Sequence, residues 1–391
     1  MPILANKNNM LVTTTQNWVR PSGWLDLPVV TSADTKIVGL VAIYETEENT
    51  IAIQAIAGAS QNYTINWGDG TSQTGTTTTV QVKKYTYSSI SSIVLQDASG
   101  YNYKQVIVTI TNNSGTVTRW DLSATATQAG PSNWLDVSFS WAATFSFNAR
   151  GAVYMQRLQV YKATLTGNIN NFMDTCVSLR FLRWENITYT SVSQAASYMA
   201  SMGNLDKMDF SFTPSPAISC TQFFIFSKIK KIGNVNFSTT NTATSLFASS
   251  AIEEVGTLNI AASTNNQTLF SGAYNLSKVG TITSTAMTVM SNMFLSCYKL
   301  KEIVFTSCSA VTTTTTAFSG CISLRKLRMP NIPVTFSIAN CNMQRQELVD
   351  LFNDLGTVSA QTITITNNPG VARLTAADLL IATAKGWTVT Q

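Results

Sequence analysis

Met293-Phe294-Leu295-Ser296-Cys297-Tyr298-Lys299-Leu300-Lys301-Glu302-Ile303 is followed 24 residues later by Ala317-Phe318-Ser319-Gly320-Cys321-Ile322-Ser323-Leu324-Arg325-Lys326-Leu327. Working outward from this pair, Leu179, Leu205, Ile229, Ile252, Leu276, Leu300 and Leu324 lie 26, 24, 23, 24, 24 and 24 residues apart. Three residues beyond each come Leu182, Met208, Ile232, Val255, Val279, Ile303 and Leu327, and six before each lie Met173, Met199, Phe223, Leu246, Phe270, Phe294 and Phe318. A unit this short cannot bury its apolar face alone, so the copies must stack on one another as a solenoid. Gly233, Gly256 and Gly280 mark a variant form of the unit.

The M-F-x-x-C-x-x-L-x-x-L pattern resembles the leucine-rich repeat of bacterial surface antigens, with Phe172-Met173-Asp174-Thr175-Cys176-Val177-Ser178-Leu179 as a third close copy. The resemblance implies a leucine-rich-repeat solenoid over residues 165–343, reaching into a cap at 344–391. Cys297 and Cys321 would then sit one rung apart, about 4.8 Å, a spacing that raises the question of a disulfide; the reading favoured is a reduced pair. All six cysteines lie beyond residue 175 and form no C-x-x-C pair, so they read as small buried hydrophobes and not as a metal site.

The residue before the second apolar position runs Lys207, Lys231, Glu254, Lys278, Glu302, Lys326 down the stack. From Lys231 onward the sign alternates at every rung, which reads as a register-setting charge ladder or, alternatively, as a ligand-binding face. The basic excess nearby points to an acidic glycan, and the interleaved Glu253, Glu254 and Glu302 argue against it. Beyond the last rung, Gln344 to Leu355 has helical spacing ending at Gly356, and Thr362 to Thr366 alternates as a strand. Thr375-Ala376-Ala377-Asp378 then opens a helix with a capping box, Gly386 ends it, and Trp387 to Thr390 forms a last strand.

Toward the N-terminus the period changes. Residues 36–118 carry short alternating strands punctuated by turn residues, as in a small β-sandwich. Asn66-Trp67-Gly68-Asp69-Gly70-Thr71, followed by Lys84-Tyr85-Thr86-Tyr87, resembles the polycystic-kidney-disease type of immunoglobulin-like domain, although the histidine of that family's later element is not kept. The resemblance implies a spacer or adhesion module without catalysis, and Asp69 reads as a turn residue and not a calcium ligand. Residues 1–35 read as an attachment arm and 119–164 as a linker and solenoid N-terminal cap. Pro21-Ser22-Gly23-Trp24-Leu25-Asp26 recurs as Pro131-Ser132-Asn133-Trp134-Leu135-Asp136. Two explanations stand open: a shared turn whose Trp docks on a neighbouring sheet, or docking segments for another subunit, with Trp18, Trp24, Leu25, Trp134 and Leu135 as the anchors.

Composition narrows the function. Only 12% of the 391 residues are charged and 45% are hydrophobic, with Thr and Val abundant, which favours a mainly β fold with a hydroxyl-rich surface. The chain has no histidine, which removes Ser-His-Asp and Cys-His nucleophile systems and imidazole acid–base chemistry. Candidate carboxylate pairs such as Glu253/Glu254 point apart on a strand, and no phosphate-binding glycine motif is present, so no catalytic, cofactor or metal site is assigned. The net charge of +5 is spread along the chain, which argues against nucleic acid. The start lacks the pattern of a secretory signal, and the longest apolar run is far short of the ~20 residues that span a bilayer.

Arg20-Pro21-Ser22-Gly23-Trp24-Leu25 and Lys385-Gly386-Trp387 resemble segments of bacteriophage structural proteins. That resemblance implies a non-enzymatic virion protein made in the host cytoplasm, a fibre or decoration protein. Its expected partners are capsid or tail proteins, with oligomeric assembly on the particle, and a host-surface glycan or protein as the solenoid's ligand. A stabilising protein without ligand and a bacterial cell-surface adhesin are the alternatives.

Overall fold

The structure is a computed structural model, and it describes residues 12–13, 18–45, 49–57, 62–75, 80–114, 117–122, 133–149, 152–168, 173, 176–184, 187–194, 199, 207–208 and 219–391. The chain is mainly β with two α-helices among the described residues and includes a β-solenoid of about eight turns. It divides into two compact units, the first formed by residues 1–193 and 201–206, the second by 194–200 and 207–391.

In the first unit, Lys36–Tyr44 is the organising strand. Every residue from Ile37 to Tyr44 is buried, so both faces of the strand are covered. It pairs antiparallel with Asn102–Ser114 on one side and with Trp134–Asn148 on the other. Asn102–Ser114 in turn pairs with Asn62–Asn66, and that strand with Ser72–Gly75. A second set, Asn49–Ala57 with Val80–Tyr85 and Val117–Asp121, is tied to the first because the end of Trp134–Asn148 pairs with Val117–Asp121. Between them lie Tyr63, Trp120 and Trp141, edge to face with ring centroids 5.0 and 5.3 Å apart.

Trp134–Asn148 and Arg157–Asn168, which lie mostly within residues 119–164, read from sequence as linker and solenoid N-terminal cap, are strands of this sheet. Trp134–Asn148, Arg157–Asn168 and Phe181–Trp184 run parallel in register, with Val137 beside Leu158 and Leu158 beside Leu182. The sequence pattern missed them because their 21- and 24-residue steps begin inside a strand that is also antiparallel to Lys36–Tyr44.

In the second unit each rung turns through three short parallel columns. Lys207–Met208, Lys231–Ile232, Glu254–Val255 and Lys278–Val279 form the first column; Val235–Asn236, Leu258–Asn259 and Ile282–Thr283 form the second. Bridges joining Ser219, Thr242, Asn265, Val289 and Thr313 in turn form the third. The glycines mark the corner between the first two columns because their backbones touch. A Cβ on Gly256 would lie 2.7 Å from the Gly233 carbonyl, and one on Gly280 would lie 2.8 Å from that of Gly256. Another corner uses left-handed backbone twice per rung, at Gln222, Ser245, Thr268, Asn292 and Thr316 and again at Phe226, Ser249, Gly272, Ser296 and Gly320.

The interior column differs in one respect from the sequence alignment. Phe224, Phe247, Phe270, Phe294 and Phe318 stack face to face, with successive centroids 5.0, 5.1, 5.4 and 6.0 Å apart. The constant six-residue offset had placed Phe223 and Leu246 in that column. The two earlier rungs are one residue shorter between the stacked Phe and the next aliphatic: Phe224 to Ile229 is five residues, Phe270 to Leu276 is six. Leu205, Phe172, Asp174, Thr175, Pro131 and Ser132 lie outside the described residues.

The solenoid closes on helix α1, Arg345–Asp354, helix α2, Ala376–Thr383, and a parallel sheet of Phe336–Ser337, Gln361–Thr364 and Trp387–Thr390. The Thr375–Asp378 capping box forms, and Arg345 holds the same Asp378 carboxylate through two bonds of 2.8 and 2.7 Å. Lys385 donates to the carbonyls of Phe352, Asn353 and Leu355 at the open end of α1, where a cation opposes the negative end of the helix dipole. Neither helix is long and apolar enough to cross a membrane.

Candidate functional site

The aromatic anchors read from sequence are built into the first unit. Trp24 and Leu135 are buried in one cluster with Leu40, Ala42, Tyr44 and Tyr103, and Trp18 and Leu25 pack against it half-buried. The Trp24 indole donates to the Tyr103 hydroxyl at 3.1 Å. Trp134 points to the opposite face of its strand, where its indole donates to the Leu122 carbonyl at 3.1 Å and its ring fills the space above Gly39. The two copies of the Trp-Leu-Asp motif meet through charge. Asp136, fully buried, accepts from Arg20 at 2.9 Å and from Arg157 at 2.7 Å, while Arg20 also donates to the carbonyls of Trp24 and Leu25. These side chains hold the N-terminal segment onto its own sheet, and Trp24, Trp134 and Leu135 are buried within it.

The turn at Asp69 is likewise closed on itself. Its carboxylate accepts from the Thr71 amide and hydroxyl at 3.0 and 2.6 Å and pairs with Lys83 at 2.6 Å. Partial burial opposes the charged form, but Lys83 and Thr71 outweigh it and hold the carboxyl below its ordinary value. Tyr85 completes the turn by donating to the Trp67 carbonyl at 2.8 Å.

In the second unit the charge column is in register, with Lys207 beside Lys231, Lys231 beside Glu254, Glu254 beside Lys278, and Glu302 beside Lys326. Lys231 bonds Glu254 at 2.9 Å, and this bond holds the ammonium above its ordinary value. Glu302 pairs with both Arg325 and Lys326, at 3.5 and 3.7 Å, and Glu253 with Lys230 at 3.9 Å. Lys278 and Lys301 are exposed and make no ion pair with any described residue. The carboxylates that interleave the basic residues are thus engaged by a subset of them.

Beside this column runs a feature the sequence reading did not single out. The extra residue in the longer rungs is Tyr274, then Tyr298, then Ile322, each on the surface. They are 56, 43 and 57% exposed. A tight turn ejects two of them, since the Tyr274 amide bonds the Gly272 carbonyl and the Ile322 amide that of Gly320, both at 2.9 Å. The Tyr274 and Tyr298 rings stack at 5.6 Å and 9°. Next to them Lys299 donates to the Asn275 side chain at 2.8 Å. The signal was available: a tyrosine repeated at 24-residue spacing, each followed by a polar residue, Asn275 and Lys299.

Two other features are a surface groove and the buried cysteines. Thr312–Thr316, Val334, Thr335, Phe336, Ser337 and Thr364 line a shallow groove of about 340 Å³. Several of its hydroxyls are internally engaged, as where Thr314 donates to the Thr335 carbonyl at 2.5 Å and Thr312 to that of Thr288 at 3.2 Å. The cysteines are buried and free, and burial pushes the Cys220 and Cys341 thiols up to about 12. Cys176, Cys297 and Cys321 each donate to a carbonyl 27 residues back, at 3.3, 3.2 and 3.2 Å, a repeated packing role that leaves them poor nucleophiles. Among the described residues no three His, Cys, Asp or Glu side chains group as a metal site. Compared with known proteins, the chain matches no family model, no curated protein and no solved structure.

Proposed function

We propose that this chain is a non-enzymatic structural protein of a bacteriophage particle, a fibre or a capsid- or tail-attached adhesin, whose solenoid contacts the host surface. In this reading residues 36–118 are an immunoglobulin-like spacer and the solenoid is of leucine-rich-repeat type. The observation that carries the binding role is the exposed Tyr274–Tyr298–Ile322 strip. Three large apolar side chains repeated at 24-residue spacing and left exposed on a solenoid surface form a patch of the kind that marks an interaction surface. The virion assignment rests on the Arg20 to Leu25 and Lys385 to Trp387 resemblances, and the internal packing of Trp24 and Trp134 is compatible with it through other surface residues.

The test is electron microscopy of a phage lysate from the source culture with gold-labelled antibody against the solenoid. Label at tail tips supports receptor binding, and label over heads replaces it with capsid decoration. Label only on cells removes the virion assignment in favour of a cell-surface adhesin.

A further inference from the structure

Tyr274 is the more exposed of the two stacked tyrosines, 56% against 43%. Tyr298 stacks on it at 5.6 Å, and the shorter rung before it, Phe247 to Ile252, holds no aromatic between those residues to continue the strip. A ring fixed by a stacked neighbour and otherwise exposed is a ledge for a flat, weakly polar ligand face such as the C–H side of a pyranose.

Polar groups beside the ledge define the rest of the ligand. Lys299 is held by Asn275 at 2.8 Å, which orients the ammonium while leaving it two further donor hydrogens. Lys301, two residues on, and Lys278, one rung before it, carry no ion pair with any described residue. Glu253, Glu254 and Glu302 are each within 4 Å of another cation, the last of two. Lys299, bonded to the residue after Tyr274, and the nearby Lys301 and Lys278 therefore present positive charge with no carboxylate of a described residue within ion-pair distance.

We infer that the Tyr274 ledge with Lys299 and Lys301 binds an acidic polysaccharide, a hexuronate chain in which one pyranose face stacks on Tyr274 and ring carboxylates meet the lysines. This rests on the reading of the solenoid as a surface-binding element and names its ligand class. Repeating uronates at successive sugar residues suit a surface whose cations also recur along the stack.

The test is calorimetric titration of the full chain with an alginate hexasaccharide as the uronate probe and a dextran oligosaccharide as the neutral one. Alginate binds and dextran does not. Tyr274→Ala weakens binding by about ten-fold or more and Lys299→Gln by a few-fold, with far-ultraviolet circular dichroism and the unfolding midpoint unchanged because both side chains are exposed. Tyr274→Leu, which keeps apolar bulk without a ring, also weakens it. Affinity falls as salt rises from about 0.02 to about 0.5 M, as the screening length shortens. Absence of alginate binding, equal binding of dextran, or variants that bind like the parent would each overturn the inference. Localisation of the chain on particles is read separately, so a chain found on virions that ignores alginate removes the ligand class alone, and one that binds alginate but is absent from virions removes the particle assignment alone.

Discussion

The first unit and the solenoid solve the problem of a low-charge sequence in opposite ways. In the first, single large side chains each fill one place: Trp134 over Gly39, Trp120 between Tyr63 and Trp141, Trp24 against Tyr103. In the second, one place is filled repeatedly, as by five stacked phenylalanines, the carbonyl-bonded Cys297 and Cys321, and the glycine corner. A core of unique contacts concentrates its stability in a few residues, whereas a stack distributes it over nearest-neighbour interfaces. The difference teaches where substitution is tolerated and where a departure from the pattern means something.

The contrast breaks most easily at Trp134. Trp134→Ala empties a fully enclosed site and removes the bond to Leu122, and a loss of about 3–5 kcal/mol is expected in denaturant unfolding. Asp136→Asn comes next: it leaves Arg20 and Arg157 facing an uncharged amide, and because both guanidiniums are partly solvated the expected loss is about 2–3 kcal/mol. In the solenoid, Gly256→Ala drives a methyl into the Gly233 backbone, and about 1–3 kcal/mol follows from the forced shift. Gly280→Ala one rung on should cost a similar amount, which sharpens the claim that the stack is made of equivalent interfaces.

Acid separates the cap from the ladder. The Thr375 amide and the Arg345 guanidinium hold Asp378 below its ordinary carboxylate value. A carboxyl depressed in the folded state stabilises at pH values above its unfolded value, about 3.9, and that contribution disappears as the pH falls through the folded value. Unfolding midpoints measured from pH 6 down to pH 2 should therefore drop on the acid side of about pH 4, and Asp378→Asn should flatten part of that drop. The smallest effect is expected at Lys231→Gln, since its exposed pair with Glu254 is screened by solvent. A larger loss there would mean that the charge column sets register in the way its alternation suggested.

The legible part of the molecule was the part that repeats. The 24-residue period located the first-column strands from Lys231 to Lys326, and the capping box at Thr375 and the glycine at 386 located α2 and its end. Periodicity failed at two points for physical reasons. A fixed offset hid the one-residue step between the rungs at Phe247 and Phe270, and with it the origin of Tyr274 as an extra residue on the surface. Strand Trp134–Asn148 pairs with Lys36–Tyr44, about a hundred residues earlier, a long-range match that no local pattern encodes, and Arg157–Asn168 joins the sheet through it. The same holds for Arg20, just before the first copy of the repeated motif, and Asp136, the last residue of the second, whose meeting depends on tertiary structure.

In the proposed reading, the exposed strip of the solenoid is the surface with which a phage component adheres to its host. Adsorption of the phage to its host after preincubating the cells with purified chain tests that most directly. The account predicts that the parent chain blocks adsorption and that Tyr274→Ala, folded and at equal concentration, blocks it far less. Unimpaired adsorption with saturating parent chain, or equal blocking by Tyr274→Ala, would contradict it.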